Sequence, residues 1–170
     1  MVNKLLISLV AVLFGFMSFG SIQANTYEYT PVPKDENTRV AYVGAIYQED
    51  GGYYADADFI EWYEGEAANA IFREREADSG MDEAPDGYYI VNDDTTVERL
   101  KLAPDAQVFM QIYDRTGDVA EADTVWNEQI SLDKFLALLE DDSAMNLRDY
   151  PYHLSIVNGV VVKITQQFLP

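Results

Sequence analysis

The stretch HLSIVNGVVVKITQQF, residues 153–168, contains the strongest fold signal in the chain. Two segments rich in β-branched residues, His153–Val157 and Val160–Phe168, flank the pair Asn158-Gly159. Asn-Gly favours a two-residue type I′ turn, because both central positions of that turn need a positive φ. The stretch therefore predicts an antiparallel hairpin close to the end of the chain.

This turn also predicts which residues of the hairpin share a face. Val157 lies opposite Val160, Ile156 opposite Val161, Ser155 opposite Val162 and His153 opposite Ile164. The single His of the chain then stands among Val and Ile side chains. We interpret His153 as a hydrogen-bonded core residue rather than as an acid or base of a catalytic site.

Working outward from the hairpin, the rest of the chain alternates strand and helix signals. The strand segments are 39–48, 53–63, 88–91, 97–102 and 107–113, and the helical segments are Gly65–Ala77 and a second helix that begins after the N-cap Ser131. This order predicts an α+β fold, a mostly antiparallel curled sheet or OB-like barrel of about seven strands with two helices.

The N-terminus has the pattern of a secretory signal peptide. A short basic start is followed by the uncharged apolar run Leu5–Gly20 and by the small residue Ala24 at the cleavage position. The run is shorter than the roughly 20 residues of a membrane span, and no second apolar run follows. We expect residues 1–24 to be a signal peptide, 25–38 an extended tail, and 39–170 a single domain that is secreted and has no membrane span.

Composition excludes several classes of function. The chain has 30 acidic and 11 basic residues, a formal charge of −19, and loss of Lys4 with the signal leaves −20. Such a surface lacks the basic stripe that binding to nucleic acid requires. The absence of Cys excludes disulfides and thiolate chemistry, and a single His excludes a multi-His metal site within one chain.

The acidic loop 78–87 suggests a calcium site. Its carboxylates are Asp78, Asp82, Glu83 and Asp86, and Ca²⁺ takes six to eight oxygen ligands. We take Asp78, Asp82 and Asp86 as the candidate metal ligands. Their spacing does not match an EF-hand, so solvated surface carboxylates are the alternative interpretation.

The aromatic residues suggest a second kind of surface. Tyr53-Tyr54 and Tyr88-Tyr89 are adjacent pairs, so on strands one ring of each pair faces inward and the other outward. Outward rings, together with Trp62 or Trp126, can stack on sugars or anchor a protein partner. Packing in the core or on the sheet explains most of the aromatic residues equally well.

Three segments resemble a family of small secreted proteins of Gram-positive bacteria. They are Asp58–Ala68 (DFIEWYEGEAA), Asp86–Asp93 (DGYYIVND) and Val160–Pro170 (VVVKITQQFLP). The resembling sequences end in a glutamate-rich EEQY before a Pro, where this chain has Gln166-Gln167-Phe168. The resemblance implies secretion and a shared fold, and it transfers no activity or catalytic residue.

These observations favour a non-enzymatic extracytoplasmic binding protein, monomeric, whose ligand is a protein partner, a cell-wall polymer or Ca²⁺. No catalytic residue is assigned and no cofactor other than Ca²⁺ is expected. Two alternatives stay open: a hydrolase that uses paired carboxylates, and a secreted inhibitor or immunity-type protein.

The signal peptide generates a direct prediction. Intact-mass measurement of the protein recovered from culture medium should give a chain that begins at Asn25, because Ala24 is the small residue at the cleavage position. A secreted chain that still carries Leu5–Gly20 would contradict it.

Overall fold

A computed structural model describes residues 31–33, 35–141 and 145–170. The predicted signal peptide, 1–24, and residues 25–30 of the predicted tail lie outside the described residues. Seven strands are formed: β1 Thr38–Glu49, β2 Gly52–Glu64, β3 Tyr88–Val91, β4 Val97–Met110, β5 Glu128–Ile130, β6 Pro151–Val157 and β7 Val160–Gln166. The two α-helices are α1 Gly65–Arg75 and α2 Leu132–Glu140.

The C-terminal hairpin forms at the predicted turn. Asn158 and Gly159 have φ of 52° and 76°, and Val157 pairs with Val160. Beyond Ile156 the register shifts, because β7 carries one extra residue at Val162. The predicted partners of Ser155 and His153 are therefore wrong: Ser155 lies opposite Lys163, and His153 lies opposite Thr165.

This shift changes the face on which His153 lies. The neighbouring Leu154 points into the barrel core with Val161 and Ile164, so His153 points to the opposite side of the sheet. The predicted shared face with Ile164 is wrong, because a one-residue shift exchanges the two faces of a strand. His153 is nevertheless buried, at 1% exposure.

The sheet closes on itself. Its strand order is β3-β2-β1-β6-β7-β4-β5, and β2 also pairs with β4, so that β1, β2, β4, β7 and β6 form a closed barrel. Every pairing is antiparallel except the parallel pair β4 and β7. The predicted α+β fold, a mostly antiparallel barrel-like sheet of about seven strands with two helices, is confirmed, and five of the seven strands close the barrel.

The middle of the chain differs in detail from the prediction. The predicted strands 97–102 and 107–113 are not separate: 97–102 and 107–110 belong to one long strand, β4, which ends at Met110 and whose register against β7 shifts between Leu102 and Gln107. Pro104 lies in this shift, where its missing N–H removes no ladder hydrogen bond. The short strand β5 is not among the predicted strand segments, and it pairs with the end of β4.

The barrel interior is filled by apolar side chains from all five barrel strands and from α2. Ser131 begins α2 as predicted, since its Oγ accepts a hydrogen bond from the N–H of Lys134 at 3.1 Å. Phe135 of α2 is fully buried and meets Tyr152 of β6 edge to face at 5.4 Å between centroids. The helix thus covers the core that the barrel strands enclose.

A small second cluster lies outside the barrel. α1 connects β2 to β3, and its Ala68 and Phe72 pack with Ala84. This cluster holds β3 against the C-terminal half of β2, beyond the point where β4 leaves that strand. None of the helices formed by the described residues has the length and apolarity needed to span a membrane.

The Asn-Gly turn can be tested with two matched glycine substitutions. Gly159→Ala should lower the free energy of unfolding by about 1 to 2 kcal/mol, because a Cβ is strained at a φ of 76°. Gly44→Ala should be close to neutral, since its Cβ would lie 3.6 Å from the nearest atom, the Asp56 carbonyl oxygen. Urea denaturation of both variants measures the difference, and equal effects would contradict this account of the turn.

Candidate functional site

An aromatic cleft with a volume of about 430 Å³ lies on the outside of the barrel. Its lining comes from five separate parts of the chain: Pro31, Trp62, Glu64, Gly65, Asp86, Gly87, Tyr88, Trp126, Gln167, Phe168 and Pro170. Aromatic and Pro side chains dominate, and within the described ranges the lining contains no Lys or Arg. A largely apolar concavity with a few polar groups is the usual form of a ligand site.

Two paired strands build one wall of the cleft. Trp62 of β2 and Tyr88 of β3 stack with their ring centroids 4.6 Å apart and their planes 17° from parallel. The register of the two strands, in which Trp62 faces Ile90 and Glu64 faces Tyr88, places the rings diagonally across the ladder. The wall is therefore fixed by backbone hydrogen bonds.

A second wall comes from segments outside the strands. Trp126 precedes β5 and Phe168 follows β7, and their rings meet edge to face at 5.1 Å. Gln167 holds the start of the C-terminal segment in place, because its N–H donates to the Pro151 carbonyl at 2.8 Å. Its side-chain N–H donates to the Phe168 carbonyl at 2.9 Å.

Buried His153 supports this second wall. Its Nε2 lies 2.8 Å from Oε1 of Gln167, and an amide oxygen only accepts, so Nε2 carries the proton. The prediction that His153 is a buried, hydrogen-bonded residue is confirmed, although the side chain lies outside the barrel core. Its position links the barrel to the aromatic cleft.

Two carboxylates stand at the rim of the cleft. Glu64 ends β2 and Asp86 precedes β3, and the N–H of Gly65 donates to the Gly87 carbonyl at 3.0 Å. This bond ties together the two chain segments that carry the carboxylates. Burial, and after it the charge of Asp86, raises the pKa of Tyr88, so its phenol remains a neutral hydrogen-bond donor at neutral pH.

The outer face of β1, β2 and β4 carries another aromatic group. Tyr47 and Tyr54 stack at 6.3 Å, and the Arg99 guanidinium lies 4.1 Å from the Tyr54 ring centre. Arg99 also pairs with Glu49, and the Tyr47 hydroxyl donates to Asp56 at 3.1 Å. These groups satisfy one another, so this face is a weaker candidate for a ligand site than the cleft.

A polar groove of about 560 Å³ lies where β1 and β2 diverge. Arg39 pairs with Glu98 at 3.2 Å across it and lies over the ring of Phe59, with the guanidinium carbon 3.2 Å from the ring centre. The groove is thus already occupied by an internal ion pair. It offers fewer apolar anchors than the aromatic cleft.

The candidate calcium ligands are all exposed. Asp78 lies in a single 3₁₀ turn, Asp82 lies in the following loop, and Asp86 lies at the rim of the cleft. Across residues 31–33, 35–141 and 145–170, no three carboxylate or His side chains come together in a metal-binding arrangement. The calcium site at Asp78, Asp82 and Asp86 stays a prediction.

Ser131 and Lys134 have the S-x-x-K spacing of some serine hydrolases. Here the Ser131 Oγ caps α2 by accepting from the backbone N–H of Lys134, and the Lys134 ammonium donates to the Tyr113 hydroxyl at 2.8 Å. Tyr113 is fully buried and itself donates to Glu128 at 2.7 Å. The arrangement is structural, because the Lys134 ammonium donates its hydrogen bond to the Tyr113 hydroxyl.

Sequence patterns identified part of the cleft. The expectation that adjacent Tyr residues face opposite sides is confirmed, because Tyr88 stacks on Trp62 while Tyr89 meets Phe72 at 5.8 Å. The contribution of Phe168 was missed, because its position depends on the path of the C-terminal segment. No spacing in the sequence connects it to Trp126, which is 42 positions earlier.

Comparison of the chain with protein families, with curated proteins and with solved structures finds no match.

The bond between His153 and Gln167 can be tested by a double-mutant cycle. His153→Phe and Gln167→Leu should each lower the free energy of unfolding by about 1 to 3 kcal/mol, because each removes one partner of a buried hydrogen bond. The double variant should lose clearly less than the sum of the two. Additive losses in urea denaturation would show that the two side chains are not coupled.

Proposed function

We propose that the protein is a non-enzymatic extracytoplasmic binding protein that recognises a protein partner through the aromatic cleft. The observation that carries the proposal is the convergence of Trp62, Tyr88, Trp126 and Phe168 around one concavity with carboxylates at its rim. Trp and Tyr are the side chains that most often dominate the free energy of protein association. Export, and an origin in Gram-positive bacteria, are parts of the same proposal.

The charge of the chain supports a basic or neutral partner. Arg39, Arg73, Arg75, Arg99 and Arg115 already pair with carboxylates of the chain. With 30 acidic and 11 basic residues, most carboxylates have no cationic partner of their own. Such a field accelerates encounter with a basic partner and disfavours anionic ones, so phosphate-bearing wall polymers are poorer candidates than a protein.

A hydrolase that uses paired carboxylates has less support. Such an enzyme needs one carboxyl group whose pKa is raised, so that it can act as a general acid. Among the described residues, the carboxyl groups with a shifted pKa move the other way. Hydrogen bonds from Thr38 and Thr96 lower the pKa of Asp35 and Asp94, and hydrogen bonds from Arg73 and Arg75 lower the pKa of Glu66 and Asp93. Burial opposes ionisation of Glu128, yet hydrogen bonds from Tyr113 and Arg115 lower its pKa as well.

The proposal includes a secreted inhibitor or immunity-type protein, which is one form of binding to a protein. Calcium binding by Asp78, Asp82 and Asp86 would be a second property of the protein, in addition to partner binding. Thermal melts with Ca²⁺ and with EDTA test calcium binding separately from partner binding, because only a bound ion makes the melting temperature depend on Ca²⁺.

The partner can be identified with the tagged protein and the extracellular fraction of its own organism. A recovered protein is then purified and titrated against wild type and Trp126→Ala, which removes one aromatic wall of the cleft. We expect the dissociation constant to rise at least about tenfold, as for an aromatic anchor in an interface.

Tyr47→Ala is the matched control for this titration. It removes a partly buried aromatic ring on a strand face that does not line the cleft, and it should change the dissociation constant less than about twofold. If both variants bind the purified partner as tightly as wild type, the cleft is not the binding site and the proposal fails.

A further inference from the structure

We propose that the segment bound in the aromatic cleft is a proline-rich stretch in the polyproline II conformation, flanked by a basic residue. This inference rests on the proposed function and names the chemistry of the partner at the same site. The composition of the walls, the hydrogen-bonding groups and the charge at the rim support it.

The walls have the composition that binds polyproline II segments. Such segments dock into grooves lined by aromatic side chains, because the pyrrolidine rings are apolar and the conformation costs little entropy to fix. The cleft provides aromatic pairs on two sides, Trp62 with Tyr88 and Trp126 with Phe168. Pro31 and Pro170 add further apolar surface.

The hydrogen-bonding requirement of such a segment is also met. A polyproline II backbone presents carbonyl oxygens that no internal hydrogen bond satisfies, so its receptor must supply donors. The Tyr88 hydroxyl makes no hydrogen bond to any described residue, and burial followed by the charge of Asp86 keeps its pKa raised. Tyr88 is therefore a protonated donor at the cleft.

The carboxylates at the rim favour a basic residue beside the proline-rich stretch. Glu64 and Asp86 are the charged side chains among the described lining residues, and both are acidic. A Lys or Arg beside the proline-rich stretch gains attraction from both carboxylates, whereas Asp, Glu or a phosphate is repelled. The basic flank follows from this charge complementarity.

The geometry of the rings argues against a neutral oligosaccharide as the ligand. A sugar stacks on an uncovered, flat aromatic face. In the cleft, Trp62 and Tyr88 lie nearly parallel and cover one face of each other, and Trp126 meets Phe168 edge to face. Ring edges and partly covered faces suit narrow pyrrolidine rings better than a pyranose.

Intrinsic fluorescence of the full mature protein tests the inference, because Trp62 and Trp126 both line the cleft. The probe is a ten-residue peptide of proline and leucine with arginine at one end. Two comparison peptides replace the arginine by glutamate or the prolines by alanine. We expect a saturable change with the arginine peptide, and binding at least about tenfold weaker for both comparison peptides.

A charge reversal at the rim gives the sharpest readout. Asp86 is exposed, so Asp86→Lys should fold, and it should weaken binding of the arginine peptide about fivefold while strengthening binding of the glutamate peptide. Asp105→Lys, at another exposed position that does not line the cleft, should leave the order of the peptides unchanged. Circular dichroism and the melting temperature verify that both variants are folded.

The inference is overturned if the alanine peptide binds as well as the arginine peptide, if Asp86→Lys leaves the preference unchanged, or if a neutral oligosaccharide binds and the proline peptides do not. The proposed function is judged separately, by the effect of Trp126→Ala on the purified partner. A partner that depends on Trp126 while no proline peptide binds would retain the function and reject this ligand.

Discussion

The parallel pairing of β4 with β7 is the constraint on which the rest of the structure depends. It joins the two strands that would otherwise leave open edges, and so converts a sheet into a barrel. The end of this pair is held by the buried side chain of Gln166, whose Oε1 accepts the N–H groups of Gln111 and Ile112 at 2.8 and 2.9 Å. These bonds satisfy backbone donors at the point where the ladder stops.

The sequence predicted correctly those elements that depend on a few adjacent residues. The Asn158-Gly159 turn, the N-cap at Ser131 and the general order of strands and helices follow from a few adjacent residues. The register of the C-terminal hairpin was wrong beyond Ile156, because the bulge at Val162 is set by the curvature of the closed barrel. A turn residue cannot encode that curvature, so the face of His153 was assigned incorrectly.

The candidate site was less predictable than the fold for the same physical reason. The first wall lies on the β2–β3 pair at the edge of the sheet. The residues of the second wall are distant in sequence, since Trp126 lies 64 positions and Phe168 lies 106 positions after Trp62. Hydrophobic periodicity identifies which rings leave the core, and it does not identify which of those rings meet. The carboxylates at the rim are only two among the 30 acidic residues of the chain, and composition alone cannot separate them from the others.

The two walls of the cleft are held in different ways. Trp62 and Tyr88 stand on paired strands, whereas Trp126 and Phe168 stand on segments outside the ladder. Beside them lie isolated backbone hydrogen bonds, from the N–H of Val125 to the Gln111 carbonyl and from the N–H of Gln167 to the Pro151 carbonyl. Under the proposed function, a wide ligand would displace the second wall at the cost of these few bonds, and the strand ladder would stay intact. Under the proposed function, selectivity would reside in the strand-borne wall and its carboxylates, while the second wall would set how much sequence variation in the bound segment is tolerated.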